Sequence, residues 1–445
     1  MDMKFMTNGS DTAVLSLAHP AGWHSFRLIY SGMRKAYKRA LPCARFYEVD
    51  MLRATAAKDL VKKLQKSGAR RLVFYGHSVF QFTPLLCELR RIQSSIDDFV
   101  FHVDGSFSVN LAVWGGLLAP LEGRRVLILV ASQAQRILVE KTLGHVFEFQ
   151  ISVCPLPVRS HSVSAKVRVA NRSRLGCDQN DFLLTYVGRI SEQKNIELLI
   201  DFLKRIRDRR FQASWKLLIA GTFDDHTSNH LPFKWMGEYF LQFRHWFSSL
   251  PEATQARVHF LDYQNAKQVA DLLSAADVYV NLSTLHDEDF GLAPAEALCL
   301  GCPTILTAWG GFHDFKIDPQ SVALVPVRAN KKNLEIGYST FQRTIIQRCK
   351  SRERAMERRR RANTFQARYS CVAVARLYKK IQARKILVTC RQKVNGDPSE
   401  YLNQIQPALC AHREVYFKAY QGYWRKKALP KKRPQKTKQV KCGLP

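Results

Sequence analysis

The chain has 445 residues, 46% of them hydrophobic, more than one ordinary globular domain needs and enough apolar material for two cores. Its longest apolar runs, such as Val126 to Ala131 and Phe182 to Val187, fall far short of the roughly 20 residues that cross a bilayer as a helix. Polar Asn8, Gly9 and Ser10 interrupt the start where a secretory leader needs an apolar stretch, so neither a membrane span nor export is expected, and the expected location is cytoplasmic.

In chain order, β-rich runs at Ala13 to Leu17, Arg71 to Tyr75, Phe99 to Val103 and Val126 to Ala131 alternate with segments of helical period. A second series follows at Phe182 to Val187, Lys216 to Ala220, Val258 to Leu261, Val278 to Asn281 and Thr304 to Thr307. The rhythm is α/β, and nearly continuous apolar strands suit parallel sheets covered on both faces. Such sheets bind ligands at the carboxyl ends of their strands. Prolines at Pro155 and Pro157 and the polar stretch Arg159 to Asp181 mark a linker. The expected division is residues 1–160 and 170–330 as two Rossmann-like domains, 345–385 as an Arg-rich helical segment, and 386–445 as a basic extension.

The formal net charge is +32, from 69 Lys and Arg against 37 Asp and Glu. Residues 351–445 hold 25 of those basic side chains and 5 acidic ones. A field of that sign attracts phosphates, whether of lipids, nucleic acid or acidic glycans, although it could equally serve solubility. The tail from Arg425, with nine cations to Lys441 and no acid, is expected to be disordered alone. The 11 cysteines are scattered and read as reduced thiols. Cys299 and Cys302 lack the second pair or histidines that a zinc site needs, so no metal site is expected.

The strongest local signal is Glu288-Asp289-Phe290-Gly291-Leu292-Ala293-Pro294-Ala295-Glu296, which follows a strand and opens a helix. Gly291 would let backbone approach a ligand without a Cβ in the way, and first-turn N–H groups would face hydroxyls or phosphate oxygens. Glu288 and Glu296 could accept from the paired hydroxyls of a sugar or ribose. In isolation, Glu288 reads as a solvated loop acid and Phe290 and Leu292 as core. Upstream, a strand runs into Gly188-Arg189-Ile190-Ser191-Glu192-Gln193-Lys194, a glycine turn with two cations five apart that could meet a diphosphate.

Gly188-Arg189 with Lys194, Leu218-Ile219-Ala220-Gly221, Ala276-Asp277-Val278, the Glu288 to Glu296 element, Gly301, Pro303 and Gly310-Gly311 occur in an order that resembles the donor domain of the family 4 retaining glycosyltransferases, which have the GT-B fold. The resemblance covers about residues 182–315. It implies two Rossmann-like domains facing across a cleft and metal-independent, retaining transfer, hexosyltransferase-like, from a nucleotide diphosphate sugar, with no cofactor. By the same resemblance Arg189 and Lys194 stabilise the leaving diphosphate, Glu288 contacts the donor sugar, Glu296 holds the ribose, and Gly188, Phe290, Gly291 and Leu292 line the donor site. Two departures are Asp262-Tyr263, where the family commonly has a glycine near the base, and Asp314, which stands for the usual acid after the double glycine.

In the first half the best positional matches for contacts with acceptor or donor are Gly22, in His19-Pro20-Ala21-Gly22-Trp23, and His102, each of which could equally be a turn glycine or a structural histidine. The expected acceptor is a glycan or a lipid-linked glycan, with the basic C-terminal region docking peripherally on an anionic membrane at its cytoplasmic face. The alternatives are a glycosyltransferase that acts on nucleic acid, and a non-catalytic nucleic-acid-binding or scaffold protein with this fold.

Overall fold

The computed structural model describes residues 11–17, 24–49, 54–76, 79–103, 105, 107–159, 164–224, 237–285, 287–329, 334–351, 355–381, 389–390 and 402. Gly22 and the tail from Arg425 lie outside the described residues.

The first half contains β1 (Thr12–Leu17), α1 (His24–Ala40), β2 (Arg45–Val49), α2 (Ala54–Lys66), β3 (Arg71–Tyr75), α3 (Thr83–Arg91), β4 (Asp98–Val103), α4 (Leu111–Leu118), β5 (Arg125–Val130), α5 (Gln133–Lys141), the short α6 (Leu143–Val146) and β6 (Phe147–Glu148), and β7 (Gln150–Val153). Its six-stranded sheet has the order β2-β1-β3-β4-β5-β7, with every pairing parallel. Side chains alternate between two buried faces. Ala13, Leu15, Phe74 and Phe101 pack with α2, α3 and α4, while Val14, Val73 and Val100 pack with α1.

The second half contains α7 (Ala165–Arg174), β8 (Phe182–Val187), α8 (Ile196–Arg205), α9 (Arg209–Ser214), β9 (Trp215–Ala220), α10 (Glu238–Ser248), α11 (Glu252–Gln255), β10 (Val258–Phe260), α12 (Ala266–Ala275), β11 (Val278–Asn281), α13 (Leu292–Cys299), β12 (Thr304–Thr307) and β13 (Val322–Val325). A second parallel sheet has the order β10-β9-β8-β11-β12-β13. Chain order reverses between β8 and β11, which leaves a crevice beyond their carboxyl ends. The capping box at Asn265 and Gln268 starts α12, and Ser132 caps α5 by accepting from the Gln135 N–H, so both helices satisfy first-turn donors locally.

All nine expected strands are present. In the two six-stranded sheets the strands that sequence periodicity passes over, β2, β7 and β13, are edges, where one side lacks a neighbour and a short strand suffices. The stretch expected to be a linker holds α7, which begins at Ala165, so a boundary at 170 would cut a helix. Arg172 explains its attachment to the second half, because it is buried and pairs with Asp277 at 3.0 Å.

Three helices follow: α14 (Tyr338–Lys350), α15 (Ala355–Tyr369) and α16 (Cys371–Lys380). Within the Arg-rich α15, Arg358 and Arg361 are buried. Arg358 donates to the carbonyls of Leu273 and Ala276 at 2.8 and 2.9 Å, and Arg361 to that of Gly301 at 3.0 Å. These cations neutralise helix C-termini of the second half and stay away from solvent. The next helix, α16, crosses back to the first half, where Tyr378 packs edge-on against Tyr37 of α1.

Candidate active site

The loops that leave β8 and β11 are sewn together by the Asn195 side chain and one backbone bond. Asn195 adopts a left-handed conformation, φ 55°, and its amide donates to the Leu282 carbonyl at 2.7 Å and to Thr284 Oγ1 at 3.1 Å. The Thr284 N–H returns a bond to the Gln193 carbonyl at 2.9 Å. Held between these loops, Lys194 Nζ donates to Glu288 Oε2 at 2.7 Å and to Ser283 Oγ at 3.2 Å. Lys194 and Glu288 are only 8% and 7% exposed, so this ion pair is nearly dry and little screened.

Arg189 sits apart from that pair. It is half exposed and bonded to Asp224 Oδ2 at 2.6 Å. Tyr186 feels charge from both sides. Its hydroxyl donates to the Arg189 carbonyl at 2.7 Å, and its pKa is held well above the ordinary value by burial first, then by Tyr279 and Glu288, with Arg189 opposing. Tyr279 in turn senses both Glu288 and Glu296 and receives a bond from Asn281 at 3.1 Å. Neither tyrosine is a sequence-level candidate, although both stand in strands whose carboxyl ends form the site.

Burial pushes the Glu296 carboxyl up to about 7, and the charge of Arg159 partly offsets this. An acid whose folded pKa exceeds its ordinary 4.5 contributes stability that is fully present below that ordinary value. That contribution is lost as pH rises toward about 7. Glu296→Gln removes this titration. The variant is expected to melt at the same temperature as wild type or lower near pH 4, and higher at pH 8, by up to roughly 2–3 kcal/mol of stability. Parallel pH dependence in the two proteins, read by thermal unfolding, would contradict a raised Glu296 pKa.

Three residues expected in the site pack into the core. Phe290 is 2% exposed and packs against Phe315 and Tyr369, both at 5.5 Å between ring centroids. Gly291 has φ 86° and caps α13, but a Cβ there would lie 2.5 Å from the Phe312 ring. Its glycine is therefore required by packing and backbone conformation, where the sequence suggested approach to a ligand. His102 is 1% exposed, with Nδ1 3.0 Å from Tyr37 Oη and Nε2 3.0 Å from the Cys154 carbonyl. Burial depresses its pKa to about 4, so it is a neutral core histidine with both ring nitrogens occupied. The unbroken apolar context Phe99-Val100-Phe101-His102-Val103 already carried that signal. Leu292 is half-buried at the start of α13, and Gly188 ends β8 beside Tyr186.

The family model for glycosyl transferases group 1 matches residues 167–337, the stretch that carries Arg189, Lys194, Glu288 and Glu296. An uncharacterized glycosyltransferase of Methanocaldococcus jannaschii is 29% identical over 155 residues, 34% of this chain and 34% of that protein. Mannosylfructose-phosphate synthase of Agrobacterium fabrum is 29% identical over 154 residues, 34% of this chain and 31% of that protein. The chain thus matches about a third of the length of these curated relatives. Among solved structures, Anabaena HepE in complex with UDP and glucose aligns with a TM-score of 0.58 at 15% identity, over 83% of this chain and 98% of that one. At that identity what is shared is the fold, two Rossmann-like units of the GT-B type.

Proposed function

We propose that this chain is a retaining, metal-independent glycosyltransferase of the family 4 kind, moving a sugar from a nucleotide diphosphate sugar to a glycan or lipid-linked acceptor. The observation that carries the reading is the buried Lys194–Glu288 pair at the carboxyl ends of neighbouring strands, within the stretch matched by the group 1 model. A dry, preorganised ammonium stabilises charge that grows on a departing diphosphate more than it stabilises the ground state. Arg189 can supply the second cation, since its own side chain is 44% exposed and can turn from Asp224 to a phosphate. Glu288 and Glu296 then accept from hydroxyls of the sugar and the ribose. Retention follows if the departing phosphate oxygen takes the acceptor proton on the face from which it leaves. No cofactor enters, because the nucleotide sugar is a co-substrate. The UDP and glucose in the HepE complex support a ligand of this class.

The test is a panel of UDP-, GDP- and ADP-sugars, scored by thermal stabilisation and by turnover with and without a strong chelator. A nucleotide sugar that raises the melting temperature and is consumed in chelator is expected. Arg189→Ala should lower turnover at least about a hundredfold while leaving stability nearly unchanged. A chain that neither binds nor consumes any of the panel would favour the scaffold alternative, and activity restored only by a divalent ion would refute metal independence.

For the partner, one surface favours an anionic membrane. Arg27, Lys35, Lys38 and Arg39 of α1 and Arg376, Lys379 and Lys380 of α16 are exposed, and neither helix contains an acidic residue. Two packed helices make a face about 20 Å wide, too broad for a DNA major groove of about 12 Å. Val372 is the large apolar side chain exposed on these described helices, so contact would stay at the headgroups. Among the described residues no helix is long and apolar enough to cross a membrane. Reversing Lys35, Lys38 and Arg39 to Glu, or deleting Arg425 to Pro445, is expected to weaken sedimentation with anionic vesicles in a salt-sensitive way and to spare turnover of a soluble acceptor. Undiminished vesicle binding, or binding to duplex DNA or RNA alone, would overturn the membrane assignment.

A further inference from the structure

Glu288 is flanked by two carboxylates that turn the other way. While Glu288 reaches Lys194 within its own half, Asp289 Oδ2 accepts from the Gly105 N–H at 2.7 Å. Asp287 Oδ2 accepts from Ser108 Oγ at 2.7 Å and from the Ser108 N–H at 3.3 Å. A third carboxylate, Asp314 Oδ2, accepts from the N–H of Gln133 at 2.8 Å, the first residue of α5. Gly105 and Ser108 follow β4, and Gln133 follows β5. Each acceptor belongs to the second half, and each donor lies beyond the carboxyl end of a central strand of the first.

We propose that Asp287, Asp289 and Asp314 form an interdomain clasp, and that Asp287 and Asp289 are positioning residues that set Glu288 only when the two halves are together. The positioning role rests on the glycosyltransferase reading, whereas the clasp itself does not.

Two physical points support the assignment. The carboxylates meet backbone N–H groups, which cannot move away as side chains can, so the contacts define a relative placement of the sheets as well as an attraction. Charge-assisted bonds of this kind are stronger than neutral ones. The loop is also pinned from behind, because the Gly311 N–H donates to the Glu288 carbonyl at 2.7 Å and Asp289 Oδ1 accepts from the Phe290 N–H at 2.8 Å. Glu288 is therefore fixed by Lys194 on one side and by its neighbours' grip on the first half on the other. Separating the halves would break the contacts of Asp287 and Asp289 with Ser108 and Gly105 and loosen the segment that carries Glu288. Burial raises the Asp289 carboxyl to about 6, and the Gly105 N–H is the largest opposing influence.

The experiment uses the full chain without ligand and follows hydrogen exchange at the amides of Gly105 and Gln133, with β4 amides as internal reference. In Asp289→Ala the Gly105 amide, and in Asp314→Ala the Gln133 amide, is expected to exchange about tenfold faster or more, while β4 keeps its protection. Asp289→Asn, which retains an oxygen acceptor, should restore most of the protection. Kinetically, Asp287→Ala with Asp289→Ala should lower kcat about 10- to 100-fold with little change in donor KM, and the Asn forms should recover much of it. Unchanged exchange at both amides would overturn the clasp. Faster exchange together with unaltered kcat, or Asn forms as impaired as Ala forms, would overturn the positioning role. A chain without transferase activity would leave the exchange result standing and would refute only the reading of function.

Discussion

Lys194→Ala is expected to lower turnover by about three orders of magnitude and also to lower the melting temperature by roughly 10 °C. In the sequence Lys194 and Arg189 are two cations five apart that could meet one diphosphate. The structure separates them. Lys194 is enclosed with Glu288 and Ser283, so its removal leaves a buried carboxylate without its counter-charge, a loss of about 3–5 kcal/mol. Arg189 is half exposed and carries no such penalty. Stability and chemistry can be parted by the double variant Lys194→Met with Glu288→Gln, which removes both charges. It is expected to regain most of the lost stability and none of the turnover. Wild-type turnover in Lys194→Ala would take this lysine out of the chemistry. A double variant no more stable than the single one would mean that the pair is not the source of the destabilisation.

Gly311→Ala is expected to abolish most activity and to destabilise the second half by about 2–3 kcal/mol or more. A Cβ at this position would lie 2.1 Å from the Asp289 carbonyl oxygen and 2.5 Å from its carbon. Both obstructing atoms are backbone, so no side-chain rotation relieves the clash, and the loop bearing Glu288 must shift. The neighbouring Gly310 is restricted twice over, by φ 49° and by the Glu288 carbonyl oxygen 2.2 Å from an added Cβ. The double glycine thus acts as the bed on which Glu288 and Asp289 rest. Thermal unfolding and donor turnover of Gly311→Ala check this. A variant with normal values for both would show that the loop can yield at little cost.

By itself the sequence determined the parts of the molecule that depend on local periodicity and on glycine and proline punctuation. Apolar runs such as Leu183-Leu184 and Leu217-Leu218-Ile219 demand strands buried on both faces, hence parallel sheets, hence ligand loops at their carboxyl ends. That placed Gly188 to Lys194 and Glu288 to Glu296 at strand ends before any contact was known. Only the tertiary structure decided how these segments meet. Lys194 and Glu288 are 94 positions apart, and they pair because β8 and β11 are neighbours in the sheet, a fact of strand order that no local window contains.

The same limit explains the residues whose direction the sequence left open. Phe290 and Gly291 belong to the motif yet face the aromatic packing of Phe312, Phe315 and Tyr369, contributed by chain that follows much later. Arg358 and Arg361 look like a charged surface, but they enter the core because α15 lies across carbonyls of residues 273, 276 and 301. The partners of Asp287, Asp289 and Asp314, namely Ser108, Gly105 and Gln133, lie some 180 residues earlier in the chain. Charge and hydrophobicity determine whether a side chain prefers burial or solvent, while its partner is selected by which strand ends and helix starts the completed fold brings within hydrogen-bond reach.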